Sequence, residues 1–116
     1  FITNSSEIYF ITEQHERKLF EDRNIFPSKQ AAEAHLALMQ LHQLRDCYRQ
    51  GWTPNYTDSS DKFCIIYYFD SYSCKYNYKI IIYTTLSCFL SFQSKEIAEE
   101  FLNNFRDLIK QAGDLI

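Results

Sequence analysis

The chain has 116 residues, of which 46% are hydrophobic and 17% aromatic, and a formal net charge of -3. That length fits one domain able to bury its core without metal or disulfide staples. The acidic balance argues against a dedicated nucleic-acid binder, which needs clustered Lys and Arg. The densest basic stretch, ERKLFEDR, is cancelled by its own acids.

Two Gly and two Pro leave little linker, so residues 1–116 read as a single domain of regular elements, with 1–6 as a tail. Glu7 to Glu13 is β-branched and aromatic, which predicts a strand. HERKLFEDRN after it is charged and irregular, a short second strand or a loop.

Ser28 to Gly51 carries the clearest helical pattern. Ser28 is a good N-cap, since its hydroxyl accepts from a free first-turn N–H. Gly51 is a natural stop, with Arg49 favouring the negative end of the dipole. Ala34, Ala37, Leu38, Leu41, Leu44 and Tyr48 fall on one face, widened by Leu36 and Met39. WTPNYTDSSD then breaks the pattern, because Pro54 drives Thr53 out of helical space.

KFCIIYYF and YKIIIYTT predict two strands joined through DSYSCKYN as a hairpin. LSCFLSF predicts a further strand, with Leu86, Cys88, Leu90 and Phe92 on its buried side. Ser94 then caps a last helix, in which Ala98, Phe101, Leu102, Phe105, Leu108, Ile109 and Ala112 form an apolar stripe and Gly113 ends the helix. The expected class is α+β, in the order β(β)αβββα. Four to five antiparallel strands would carry two long amphipathic helices on one face.

Phe26-x-Ser28-Lys29-x-x-Ala32-Glu33 and Phe92-x-Ser94-Lys95-x-x-Ala98-Glu99 repeat one pattern. Each sits where extended chain enters a helix. Ala31 and Ile97 stand where a capping box needs an acid or amide, so the pair is one helix-entry device used twice.

Little in the chain supports catalysis. His35 and His42 lie two helical turns apart, about 10 Å, too far to share a metal. His15 has no recognisable partner. Cys47 with His42, and Asp58 with Asp61, are minimal pairs without the neighbours that a thiol site or a calcium loop requires. No Gly-rich phosphate loop occurs. No catalytic residue, metal ligand or cofactor is expected. Cys47, Cys64, Cys74 and Cys88 form no C-x-x-C pair and read as reduced thiols, with Cys64–Cys74 as the alternative pairing in an exported protein.

The unusual feature is aromatic. Tyr67, Tyr68, Tyr72, Tyr76, Tyr78 and Tyr83 gather around one hairpin, beside Lys62, Lys75 and Lys79. Three readings compete: ordinary strand filling, a protein interface and stacking of single-stranded bases. The candidate surface is Tyr67, Tyr68, Tyr76, Tyr78, Tyr83, Lys75 and Lys79. Trp52 and Tyr56 are expected to form an aromatic latch over the helix end and the sheet edge.

With Trp52-x-Pro54-x-Tyr56 and Lys62 leading a strand, the two helix-entry blocks resemble a group of small proteins encoded by bacteriophages and mobile elements of gut Bacteroides and Firmicutes. Arg23 stands where the group often has Gly, and Tyr56 where it often has Trp. The resemblance implies a context and carries no mechanism. The expectation is a cytoplasmic protein of a bacterial host, with export left open because the chain starts at Phe1. It would be a non-enzymatic module that binds an unknown protein partner or a second copy of itself. Single-stranded nucleic acid is the alternative partner, and a small enzyme of unknown type is the third reading. No stretch approaches the ~20 apolar residues of a membrane span.

Overall fold

The computed structural model describes residues 2–4, 7–9 and 26–116. The described elements are β1 (Ile2–Asn4), β2 (Glu7–Tyr9), α1 (Lys29–Arg49), β3 (Lys62–Asp70), β4 (Lys75–Tyr83), β5 (Ser91–Phe92) and α2 (Lys95–Ala112), closed by a 3₁₀ turn at Gly113–Leu115. The class is α+β: a three-stranded antiparallel sheet in the order β4-β3-β5, with two long helices.

β1 and β2 form a separate antiparallel ribbon, Ile2 facing Tyr9 and Asn4 facing Glu7. The segment expected as a tail therefore contributes a strand, and the strand expected over 7–13 is described over Glu7–Tyr9. The remainder of that expectation, HERKLFEDRN, His15 and Arg23 lie outside the described residues.

Both helix entries follow from their serines. Ser28 Oγ accepts from Ala31 N–H at 3.1 Å, and Ser94 Oγ from Ile97 N–H at 3.2 Å. Each serine is extended, which aims its hydroxyl at the free donors of the first turn. Ala32 and Ala98 are fully buried and bring their helices close to neighbours. The preceding aromatics differ: Phe92 is fully buried, whereas Phe26 is half-buried with its ring 4.6 Å from that of His35.

α1 stops one residue earlier than expected. Gln50 takes the left-handed conformation (φ 51°) as the cap, and Gly51 follows at φ 86°. The last carbonyls are taken by a side chain from across the fold: Gln93 Nε2 donates to Tyr48 O and Arg49 O. α2 bends at Phe105 (φ -128°, ψ 27°), whose ring packs edge-on against Tyr48 and Phe101.

β3 and β4 pair without a bulge from Lys62↔Tyr83 to Asp70↔Lys75. Alternation puts Phe63, Ile65, Tyr67 and Phe69 on one face with Ile82, Ile80, Tyr78 and Tyr76. Ile65 and Phe92 join Ala37, Leu41, Leu90, Ala98, Phe101 and Ile109 in the core, with Tyr67, Tyr78 and Ile80 packed against it. α2 lies across this face, and α1 packs chiefly against α2.

The strand expected over LSCFLSF shrinks to Ser91–Phe92. Leu86 is 59% exposed rather than buried, and the chain turns through Phe89–Leu90 before entering β5. Those bends carry Cys88 to Cys64, and the two form a disulfide with Cα atoms 6.3 Å apart. This corrects both thiol expectations. Cys64 faces Ile81 in the ladder, whereas Cys74 sits in the turn beyond the last pair, Asp70↔Lys75. That places Cys74 about 20 Å along the hairpin at ~3.3 Å per residue, out of reach of Cys64. Cys47 and Cys74 are free and exposed. No helix among the described residues is long and apolar enough to cross a membrane.

Candidate functional site

The aromatic hairpin does not present its tyrosines on one face. Period-two alternation sends Tyr67, Tyr76 and Tyr78 to the helix side, and Tyr68 and Tyr83 to the other. On that second face Tyr68 is half-buried beneath the Lys79 ammonium, 4.7 Å from its ring centroid. Tyr72 stands at the turn and is fully exposed. Asp70 shapes this turn by accepting from Tyr72 N–H at 3.0 Å, and Cys74 closes it at φ 54°.

The helix-side set forms a continuous ladder. Tyr67 and Tyr76 stack with centroids 4.9 Å apart and planes 4° from parallel. Tyr67 also meets Tyr78 at 5.0 Å, and Tyr76 meets Phe69 edge-on at 5.4 Å. α2 covers the inner rungs. Tyr78 Oη donates to Arg106 O at 3.2 Å, and the Arg106 guanidinium sits 5.3 Å from the Tyr78 ring. Burial pushes the Tyr78 phenol above its ordinary value, with Tyr67 adding to the rise and Arg106 opposing it. The helix does not cover the outer rungs: Phe69 is 54% exposed and Tyr76 is 53% exposed.

Beside this overhang lies an open depression of about 360 Å³ lined by Tyr67, Lys75, Tyr76, Tyr78 and Lys110. The floor is aromatic and the rim carries two cations, with Arg106 one helical turn before Lys110. Chemically this is a surface for stacking and for apolar contact, with positive charge at its border. Sequence reasoning missed Phe69, Arg106 and Lys110. Phe69 was legible from its parity with Tyr67, whereas the two cations come from an element remote in sequence.

A second polar constellation holds the opposite sheet edge. Arg49, buried at the end of α1, donates from Nε to Ser91 O at 2.9 Å and from Nη2 to Ser91 Oγ at 2.8 Å. Trp52 lies against its guanidinium, 5.5 Å from ring centroid to Cζ, and Tyr56 Oη lies 3.4 Å from Ser91 Oγ. Burial lowers the Arg49 pKa, and nearby Arg45 lowers it further. Burial works to raise the Tyr56 phenol, yet hydrogen bonds from Ser91, Cys88 N–H and Ser87, with the charge of Arg49, hold it below its ordinary value. Trp52 thus lies against Arg49 at the end of α1, and the Tyr56 hydroxyl lies beside Ser91 of β5 and Cys88.

The remaining candidates stay apart. His35 bonds Ala31 O at 2.8 Å, and His42 lies 3.8 Å from Asp46 on the exposed helix surface. Asp58 is taken by Ser60 and Lys62. Among the described residues no three His, Cys, Asp or Glu side chains converge on a point that suits a metal. No protein family, curated protein or solved structure matches the chain.

Proposed function

We propose that this chain is a non-enzymatic protein-interaction module that binds through the helix-side overhang of its hairpin. The observation that carries the reading is the outer rungs of the ladder, Phe69 and Tyr76, which are more than half exposed although stacked on a fixed inner pair. Large aromatics held rigid before binding lose little entropy on contact, which is what interface hot spots require. Lys75, Lys110 and Arg106 at the border favour an apolar or aromatic segment flanked by acids. Of the residues expected to form the surface, Tyr67, Tyr76 and Tyr78 belong to this reading by parity, and Lys75, which shares the parity of Lys79, joins it because its side chain lines the depression. Tyr68, Tyr83 and Lys79 belong to the other face and are left out of it.

Selection of a random peptide library tests the proposal. The wild-type chain should enrich acidic-aromatic peptides, and the Phe69→Ser/Tyr76→Ser variant should lose them without a drop in thermal stability. Equal enrichment by both proteins would overturn it. The second reading, stacking of single-stranded nucleic acid, rests on the same rings and cations. Salt-dependent retention on oligo-dT without peptide enrichment would favour that reading.

The phage or mobile-element context is carried over from the resemblance of the helix-entry blocks. That resemblance suggests the bacterial cytoplasm. The Cys64–Cys88 bond weighs the other way, toward an oxidising compartment.

A further inference from the structure

The two edges of the sheet are treated differently. The β5 edge is two residues long, and Arg49 takes its outward carbonyl at Ser91. The β4 edge is nine residues long, with no proline and no bulge. Proline and bulges are two of the devices that blunt an exposed strand, and β4 carries only a third, the edge lysines Lys75 and Lys79, in its first five residues.

The direction of its backbone groups follows from the ladder. Ile65 N–H donates to Leu90 O at 2.9 Å, so odd-numbered residues of β3 turn toward the β5 side. Even-numbered residues of β3 therefore bond the odd-numbered residues of β4. The even-numbered residues of β4, Tyr76, Tyr78, Ile80 and Ile82, turn their N–H and C=O groups outward. Tyr78 N–H agrees, being capped from outside the ladder by Asn77 Oδ1 at 2.9 Å. Among the described residues nothing bonds the outward groups of Ile80 and Ile82, and the Ile82 side chain is 57% exposed. α1 packs away from this edge, against α2.

We propose that a second copy of this chain pairs here, β4 against β4 about a two-fold axis at Ile81, making one continuous sheet. The occupant is argued from self-complementarity. In this register Ile80 exchanges backbone bonds with the second copy's Ile82, and Ile82 with its Ile80. Lys79 falls opposite the second copy's Tyr83 in a non-hydrogen-bonded pair, a cation beside an aromatic ring. Centring the axis on Lys79 instead would set two ammonium groups face to face. Centring it on Tyr78 would require the N–H that Asn77 already holds. Burial by so short a ladder falls below the ~1,200 Å² of a standard interface, so the dimer is reversible and concentration-dependent. The surface is separate from the aromatic overhang, and the pairing does not depend on that overhang's function.

Sedimentation of the full chain under non-reducing conditions tests the proposal, together with cross-linking in a Cys47→Ser/Cys74→Ser background. The wild type should shift toward twice the chain mass as concentration rises. Ile82→Pro removes an outward donor twice per dimer while sparing the bonds to β3, and should raise the dissociation constant at least ~10-fold. Lys79→Cys and Tyr83→Cys chains should each stay uncross-linked alone and form a disulfide dimer when mixed. A monomer at all concentrations overturns the proposal. So does a dimer that ignores Ile82→Pro, or mixed cysteine chains that fail to cross-link. Should Ile82→Pro fail to fold, the mixed cross-link decides by itself. Loss of peptide enrichment in the overhang variant with the dimer intact would bear on the binding reading alone.

Discussion

Lys62 is the least expected buried residue, and replacing it gives the sharpest test of the packing. Its side chain is 1% exposed at the start of β3, and its ammonium donates to Asp58 Oδ1 at 2.8 Å, Ser60 O at 2.9 Å and Thr84 O at 2.8 Å. One side chain therefore ties the loop before β3 to the segment after β4. Lys62→Met keeps the aliphatic stem and removes every donor. Breaking a fully buried ion pair costs about 3–5 kcal/mol. Here Asp58 is half exposed and Ser60 and Thr84 are surface residues, so their oxygens regain water. The expected loss falls to about 2–3 kcal/mol, at the scale of one or two bonds to a charged group. For a chain this long, that lowers the melting temperature by about 8–12 °C. Urea unfolding at neutral pH reads the loss directly, as a lower midpoint at unchanged slope. Asp58→Asn should cost less, because the ammonium keeps both carbonyls. A Lys62→Met chain within ~0.5 kcal/mol of wild type would refute the reasoning, since that is the range of a surface change.

Two further outcomes follow from the same region. Unfolded without reductant, the chain should expose two reactive thiols, Cys47 and Cys74. Thiol titration that finds Cys64 and Cys88 reactive as well would overturn the pairing. Asp58 is held at about 2, below the ordinary 3.8, first by the Lys62 hydrogen bond and then by those from Ser60. A depressed carboxyl stabilises the fold above the unfolded value and loses that contribution as pH falls through the folded one. Urea midpoints should therefore decline from about pH 4 to about pH 2, and Asp58→Asn should flatten that decline.

The local signals in the sequence were sound wherever local chemistry decides. Ser28 and Ser94 cap the helices because a serine before a helical pattern has few better uses for its hydroxyl. The paired β3 and β4 runs formed a hairpin for the same kind of reason. Legibility ended where a distant partner decides. LSCFLSF alternates like a strand, yet the bond to Cys64 and the Arg45 hydrogen bond to Phe89 O hold it in bends. Arg49 reads as a dipole partner at a helix end but is spent on Ser91, in the neighbouring edge strand. The tyrosines were visible as a cluster, but composition does not divide them between faces. Parity does so once the register is known, and it removes Tyr68 and Tyr83 from the set.

The two proposed surfaces share a physical origin. α2 bends at Phe105, where the Tyr48 and Phe101 rings hold it, and the Arg106 carbonyl at the bend accepts from the Tyr78 hydroxyl. The helix is thereby fixed over the inner rungs of the ladder, while the hairpin runs on beyond it. α1, committed to α2 and to Ser91, is drawn toward the β5 side of the sheet. α2 thus covers the middle of the three-stranded sheet and α1 packs on α2, and among the described residues the tip of the hairpin and the outer side of β4 are left bare. An incompletely packed sheet is expensive to leave in water when its bare parts are Phe69, Tyr76 and Ile82. The hairpin nevertheless keeps nine paired rungs and a shaped turn. Rigidity in apolar surface that the fold itself does not use is what a binding partner, of either proposed kind, would recover.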